Sequence, residues 1–68
     1  MKAEDLKKWR ETMGFTQEKA AEVLGYQRPY YADFERGVRN IPFLVPIACA
    51  AIWLGIKPWP DILKGFRR

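Results

Sequence analysis

Few side chains in this sequence have the chemistry that catalysis or metal binding requires. The 68 residues include a single cysteine, Cys49, and neither histidine nor serine. A nucleophile paired with an imidazole base is excluded, and one cysteine cannot complete a zinc site. The carboxylates are scattered without paired-acid spacing, and no glycine-rich phosphate loop occurs. The sequence predicts a protein that is not an enzyme and uses no metal and no cofactor.

Basic side chains are the remaining source of chemistry. Twelve lysines and arginines stand against eight acids, which gives a net charge of +4 and a pI of about 9.5. A small basic domain favours polyanions, of which nucleic acid is the commonest inside a cell. The acids are interspersed with the bases, so the alternative interpretation of this charge is an ordinary solvated surface.

Length and hydropathy predict one domain over residues 1–68, located in the cytoplasm. The longest apolar stretch, residues 41–56, is shorter than the ~20 residues of a bilayer span and is interrupted by Pro42 and Pro46. The N-terminus lacks the apolar core of a signal peptide. An unpaired Cys49 fits a reducing compartment, where it would act as a small core residue.

Glycines divide the chain into segments with helical spacing of apolar residues, and none of these segments alternates like a strand. We predict an all-α fold, a compact five-helix bundle. The predicted helices span roughly Ala3–Met13, Gln17–Leu24, Arg28–Arg36, residues 43–54 and residues 58–64, with a frayed tail at 66–68. The fourth is apolar almost all round, which predicts either a central helix or one that lies in an interface.

The second and third predicted helices are separated by a very short turn at residues 24–27. Such a turn is too short for an antiparallel pair, so the helices should cross steeply in a helix-turn-helix. The small side chains of Ala20 and Ala21 would let them approach closely. The third helix can then enter a DNA major groove. An ordinary helical hairpin within a bundle is the alternative.

Several unlike residues at fixed spacing resemble one family. These are Thr16-Gln17-Glu18, Ala21, Leu24-Gly25, Arg28, Phe34-Glu35-Arg36-Gly37 and Arg39-Asn40, within residues 16–40. In this pattern the chain resembles the Cro/C1-type (XRE-like) helix-turn-helix repressors. Arg10 before Gly14, and Pro42 with Pro46, are also similar to lambdoid phage repressors. The resemblance covers about residues 6–56, with the helix-turn-helix itself at about 16–36.

The resemblance implies a set of DNA-binding residues. In the family, the position of Gln17 contacts a phosphate and braces the first residue of the recognition helix, and Arg28 matches a leading base-contacting position. The full set is Gln17, Gln27, Arg28, Pro29, Tyr30, Asp33, Arg36, Arg39 and Asn40.

Two further roles follow from the same resemblance. Arg36, Arg39 and Asn40 match a loop that grips the DNA backbone. Arg10 and Glu35 match a structural ion pair that ties the first helix to the third.

Side-chain chemistry agrees with most of these assignments. Arg28, near a helix N-terminus, can donate two hydrogen bonds to guanine O6 and N7. Arg36 and Arg39 can neutralise phosphates, although salt bridges to nearby acids are an equal alternative. For Arg28 the alternative is a solvated charge, and for Gln17 a simple first-turn residue.

Three positions depart from the family pattern. Pro29 cannot read a base by hydrogen bonding but can touch a thymine methyl group. Tyr30 is expected along the DNA backbone with its hydroxyl on a phosphate, whereas Tyr31 is expected in the core. Asp33 either accepts from cytosine N4 or pairs internally, with Arg36 or with a base of the first helix, and we favour pairing.

The resulting prediction is a stand-alone transcriptional repressor that binds a near-palindromic duplex as a homodimer. Its expected interface is the C-terminal segment, through Ile56, Trp59 and Ile62. The main alternative is a protein-interaction module, antitoxin-like or adaptor-like, that uses the fold without reading bases. A core fragment of a larger repressor is a third interpretation.

Overall fold

The computed structural model describes residues 1–57 and 59, and it contains four helices in that part of the chain. They are α1 (Ala3–Met13), α2 (Gln17–Leu24), α3 (Arg28–Arg36) and α4 (Leu44–Leu54). The bounds of the first three equal the predicted ones, and the described residues include no strand. The all-α class is confirmed. The predicted fifth helix, apart from residue 59, and the predicted tail lie outside the described residues.

Local signals explain where α2 and α3 begin and where α2 ends. The Thr16 hydroxyl accepts a hydrogen bond from the Lys19 N–H at 3.1 Å and caps α2. Gly25 ends α2 with a φ of +83°, a left-handed conformation in which a Cβ atom is strained. Pro29 lies in the first turn of α3, where its missing N–H would have no helical partner.

The core lies where α1, α2 and α3 meet. Among the described residues, the buried side chains are Leu6, Ala20, Ala21, Tyr31, Phe34, Val45 and Cys49. Ala20 and Ala21 are the contribution of α2, and their small size brings its backbone close to the large rings of α3. Leu6 of α1 closes the other side of the same cluster.

The fourth helix is not central, contrary to one of the two predicted placements. It begins at Leu44, one residue later than predicted, because Phe43 forms its N-cap. Only Val45 and Cys49 of this helix are buried, while Leu44, Ile47, Trp53 and Leu54 are exposed. The reason is that Tyr31, Phe34 and Leu6 already fill the space between the first three helices. No helix in the described part is long and apolar enough to cross a membrane.

Candidate nucleic-acid interface

The turn between α2 and α3 is held by backbone and aromatic contacts. The N–H of Gly25 donates to the Glu22 carbonyl at 3.1 Å, and that of Tyr26 donates to the Ala21 carbonyl at 2.9 Å. The Tyr26 ring meets the buried Phe34 ring edge to face, with centroids 5.1 Å apart. The turn is therefore tied directly to the core, and α3 has a defined position on α2.

A single carboxylate, that of Glu35, joins α1, α2 and α3. Arg10 donates to it twice, from Nε to Oε2 at 2.7 Å and from Nη2 to Oε1 at 3.2 Å. The amide of Gln17 donates to Oε1 at 3.1 Å, and the Tyr31 hydroxyl donates to Oε2. The side chain of Glu35 is only 4% exposed and that of Arg10 16%. All four donor groups converge on a carboxylate that is almost fully shielded from solvent, and this shielding strengthens each hydrogen bond.

Glu35, Arg10, Gln17 and Tyr31 together form the Glu35 cluster, and the protonation of this cluster follows from its contacts. Burial alone would raise the pKa of Glu35, but the hydrogen bonds from Arg10, Tyr31 and Gln17 outweigh it and hold that pKa below its usual value. The bond to Glu35 raises the pKa of Arg10. Burial, together with the bond to Glu35, raises the pKa of Tyr31. At neutral pH the cluster is a charged Arg10–Glu35 pair with a neutral tyrosine.

Gln17 takes a different partner from the one that the resemblance implied. Its amide binds Glu35 rather than the first residue of α3, Arg28. The bond still links the N-terminus of α2 to α3. The side chain remains half-buried at the edge of the surface on which Arg28 lies exposed.

The outward side of α3 and its preceding turn is exposed. Gln27, Arg28, Pro29, Tyr30 and Arg36 all lie there, and the following loop exposes Arg39 and Asn40. Arg28 lines an open groove between α2 and α3, together with Thr16, Lys19 and Glu22. Gln17 and Asp33 are half-buried. The other polar members of the predicted DNA-binding set are exposed and thus accessible to a large partner.

Asp33 is paired internally, and its partners are two members of the same predicted set. Its carboxylate lies 3.3 Å from Nη1 of Arg36 and 3.6 Å from Nη2 of Arg39. The predicted i,i+3 partner is therefore present, and the second base comes from the loop rather than from the first helix. The arginine ends of both pairs are exposed while Asp33 is half-buried, and ion pairs near the surface are typically worth ~1 kcal/mol or less. They are weak enough for a phosphate to replace them.

Tyr30 lies in an aromatic stack. Its ring is stacked on Tyr26 at a centroid distance of 5.6 Å and an angle of 7°, and it meets Phe34 edge to face at 5.4 Å. The guanidinium carbon of Arg39 lies 3.9 Å from the Tyr30 ring centroid. The ring therefore packs against the turn, the core and the basic loop at once.

Comparison with known proteins decides the family. A family model described as Helix-turn-helix matches residues 6–50, about two thirds of the chain. The chain belongs to the Cro/C1-type helix-turn-helix family. This fold is that of DNA-binding transcription regulators and not of enzymes. Neither the curated proteins nor the solved structures gave a match.

The match to the helix-turn-helix family spans all the residues just described, from Arg10 to Asn40. It does not reach the predicted interface segment. In that segment Ile56 and Trp59 are exposed, whereas Ile62 lies outside the described residues.

Sequence reasoning missed Tyr26 as a member of the helix-turn-helix surface. Its ring fixes the side chain of Tyr30, which the sequence placed along the DNA backbone. The four-residue spacing of Tyr26 and Tyr30 was an available signal, because residues at i and i+4 meet on a helix. Tyr26 lies just before α3, however, and the turn conformation had to be known before that rule could be extended to it.

Within residues 1–57 and 59, no group of three His, Cys, Asp or Glu side chains is placed to hold a metal ion. Burial raises the pKa of the Cys49 thiol to about 11, so it is protonated at neutral pH.

Proposed function

We propose that this protein is a transcriptional repressor that binds a near-palindromic DNA duplex as a homodimer and inserts α3 into the major groove. The observation that carries the proposal is that one side of α3 is packed against the core while the opposite side is exposed. Its inner side is fixed by Phe34, Tyr31 and the Glu35 cluster, whereas its outer side is polar and exposed. A rigid helix with a free polar side is what groove insertion requires.

Base reading is assigned to the first turn of α3. Arg28 is exposed at the N-terminal end, and its planar guanidinium can donate both bonds that guanine accepts at O6 and N7. Gln27 precedes it and can bind an adenine edge in the same way. Pro29, also exposed, can touch a thymine methyl group. These three residues would carry most of the sequence preference.

Contact with the DNA backbone is assigned to residues on either side of the first turn of α3 in the sequence. One group comprises Arg36 at the end of α3 and the loop residues Arg39 and Asn40. Here the two arginines can exchange their ion pairs with Asp33 for contacts with DNA phosphates. Gln17 lies at the start of α2, where its amide binds Glu35 of α3. Helix N-termini there and at Arg28 add free backbone N–H groups. Such contacts position the protein and carry no sequence information.

A dimer is supported by the apolar surface left on α4 and just after it. Leu44, Ile47, Trp53, Leu54 and Ile56 are each more than half exposed. An apolar surface of this kind typically marks an interaction site. Two-fold pairing would place the two copies of α3 about 34 Å apart, one helical turn of DNA. Occupation of a promoter by such a dimer would repress transcription.

Selection from a random duplex pool, followed by salt titration of the selected duplex, tests the proposal. Binding should recover a two-fold related motif and weaken by about two or more orders of magnitude between ~50 and ~200 mM salt. A reporter gene placed behind the selected site should be repressed by the protein. Failure to enrich any duplex would contradict the proposal.

Protein interaction without base reading is the second candidate. It is favoured by Asp33, which partly neutralises Arg36 and Arg39, and by the apolar surface of α4. A duplex interaction that is absent or unaffected by salt would support this candidate over the first.

A further inference from the structure

Arg39 is held at the surface by two contacts of different kinds. Its guanidinium lies 3.9 Å from the centre of the Tyr30 ring, and one of its nitrogens lies 3.6 Å from an Asp33 oxygen. The neighbouring Arg36 forms an ion pair with Asp33, and its side chain is 67% exposed against 44% for Arg39. Arg39 is therefore the more immobilised of these two basic side chains.

We infer that Tyr30 is a positioning residue that presents Arg39 to a DNA phosphate, and that it acts through its ring rather than its hydroxyl. The inference rests on the proposed function and names the way in which one backbone contact is built. A guanidinium stacked on a ring keeps its edge N–H groups free, and these groups are the ones that bind phosphate. Holding the long side chain in place beforehand also removes part of the entropic cost of binding.

Tyr30 can do this because its own ring is fixed. Tyr26 stacks on it in parallel, and Phe34, which is fully buried, contacts it edge to face. The position of Arg39 is thus set by the core through Phe34 and Tyr30. The Asp33 carboxylate holds the guanidinium edge in the free protein, at the place where a phosphate oxygen would bind.

The test uses the full chain and double-stranded DNA of random sequence, because a phosphate contact does not depend on sequence. Affinity is measured over a range of salt for the unmodified chain, Tyr30→Leu, Tyr30→Phe, Arg39→Ala and the double variant Tyr30→Leu/Arg39→Ala. Leucine keeps apolar bulk beside Tyr26 but removes the flat ring. Phenylalanine keeps the ring and removes the hydroxyl. Thermal melting of each variant shows that it is folded.

We expect Tyr30→Leu to weaken binding about two- to fivefold, the range of an exposed cation–π contact. Arg39→Ala should reduce the slope of log affinity against log salt by about 0.9, the loss of one phosphate contact. In the Arg39→Ala background, Tyr30→Leu should cause no further loss. Tyr30→Phe should bind within about twofold of the unmodified chain, because the ring that stacks on Arg39 is kept.

Three results would overturn the inference. Equal weakening by Tyr30→Phe and Tyr30→Leu would assign the role to the hydroxyl. Equal weakening by Tyr30→Leu with and without Arg39 would show that the ring acts independently of the arginine. No binding by the unmodified chain would overturn the proposed function and the inference together, and so differs from the first two results.

Discussion

Glu35 shows how one acidic residue can hold three helices together. Its carboxylate accepts hydrogen bonds from Arg10 of α1, Gln17 of α2 and Tyr31 of α3 itself. A buried ion pair is weak evidence for net stability, but breaking it by removing one partner leaves an uncompensated charge. The cluster therefore makes the position of α3 sensitive to single substitutions far from its exposed side.

Arg10→Met should lower the free energy of unfolding by about 3–5 kcal/mol, because it removes the cation that pairs with the Glu35 carboxylate, whose side chain is only 4% exposed. The double variant Arg10→Met/Glu35→Leu should recover part of that loss. Recovery should be incomplete, since Tyr31 and Gln17 also lose their acceptor. Urea unfolding of the three proteins measures both effects. Unfolding of Arg10→Met at the parent midpoint would show that the pair contributes nothing.

The same cluster predicts a loss of stability in acid. The pKa of Glu35 is lower in the folded protein than its ordinary value of about 4.3. Its contribution is therefore complete above pH ~5. It begins to fall near pH ~4.3, where the unfolded chain takes up the proton, and it is lost as the pH falls through the lowered folded pKa. Glu35→Gln should flatten this part of the profile of unfolding free energy against pH. A parallel decline in both proteins below pH ~4 would assign the acid sensitivity to other carboxylates.

Asp33 can be tested apart from the core because it lies near the surface. Since its carboxylate is paired with Arg36 and Arg39, Asp33→Asn should free both bases and remove a negative charge near the phosphates. We expect a modest gain in affinity, uniform over all single-base variants of the selected duplex. A changed base preference at one position would instead show that Asp33 reads cytosine.

At the scale of elements, the approximate bounds of α1, α2 and α3 could be predicted because local signals set where helices begin and end. Thr16, Gly25 and Pro29 each determine a start or stop by their own geometry. The position of α4 could not be predicted in this way. Its sequence is apolar on all sides, so only the filling of the core by other helices decides which side is covered.

A similar limit applies to the interface residues. Charged pairs at i,i+3, such as Asp33 with Arg36, could be predicted from spacing. The bond from Gln17 to Glu35 and the stack of Tyr30 on Arg39 join separate elements. The first depends on how α2 packs on α3, and the second on how the loop after α3 returns over that helix. No local rule determines either.

The surface of α4 and the residue after it carries the prediction of self-association. Ile56→Glu should weaken a homodimer by about tenfold or more, because it replaces, in both copies, an apolar side chain that the proposed dimer would bury. Val38→Glu, on an exposed residue of the loop after α3, is the control for association without DNA, because that loop is assigned to the DNA backbone. Sedimentation equilibrium without DNA and on the selected duplex gives the stoichiometry. Unchanged association in Ile56→Glu would exclude this interface.

At the scale of the whole molecule, the two sides of the domain have separate tasks in the proposed function. Basic and polar residues of α3 and its loop lie on one surface, and the apolar residues of α4 lie on another. The Glu35 cluster and the aromatic rings connect them through a small core. Specificity would come from the first surface, and affinity from the pairing that the second allows.

The most direct test of the central claim measures Arg28→Ala and Arg39→Ala against every single-base variant of the selected duplex. Arg28→Ala should cost ~1–3 kcal/mol at one base pair in each half-site and abolish the preference there. Arg39→Ala should weaken binding to every variant by the same factor. That difference would show that α3 reads bases while its loop holds the backbone. Identical profiles for the two variants would contradict the account.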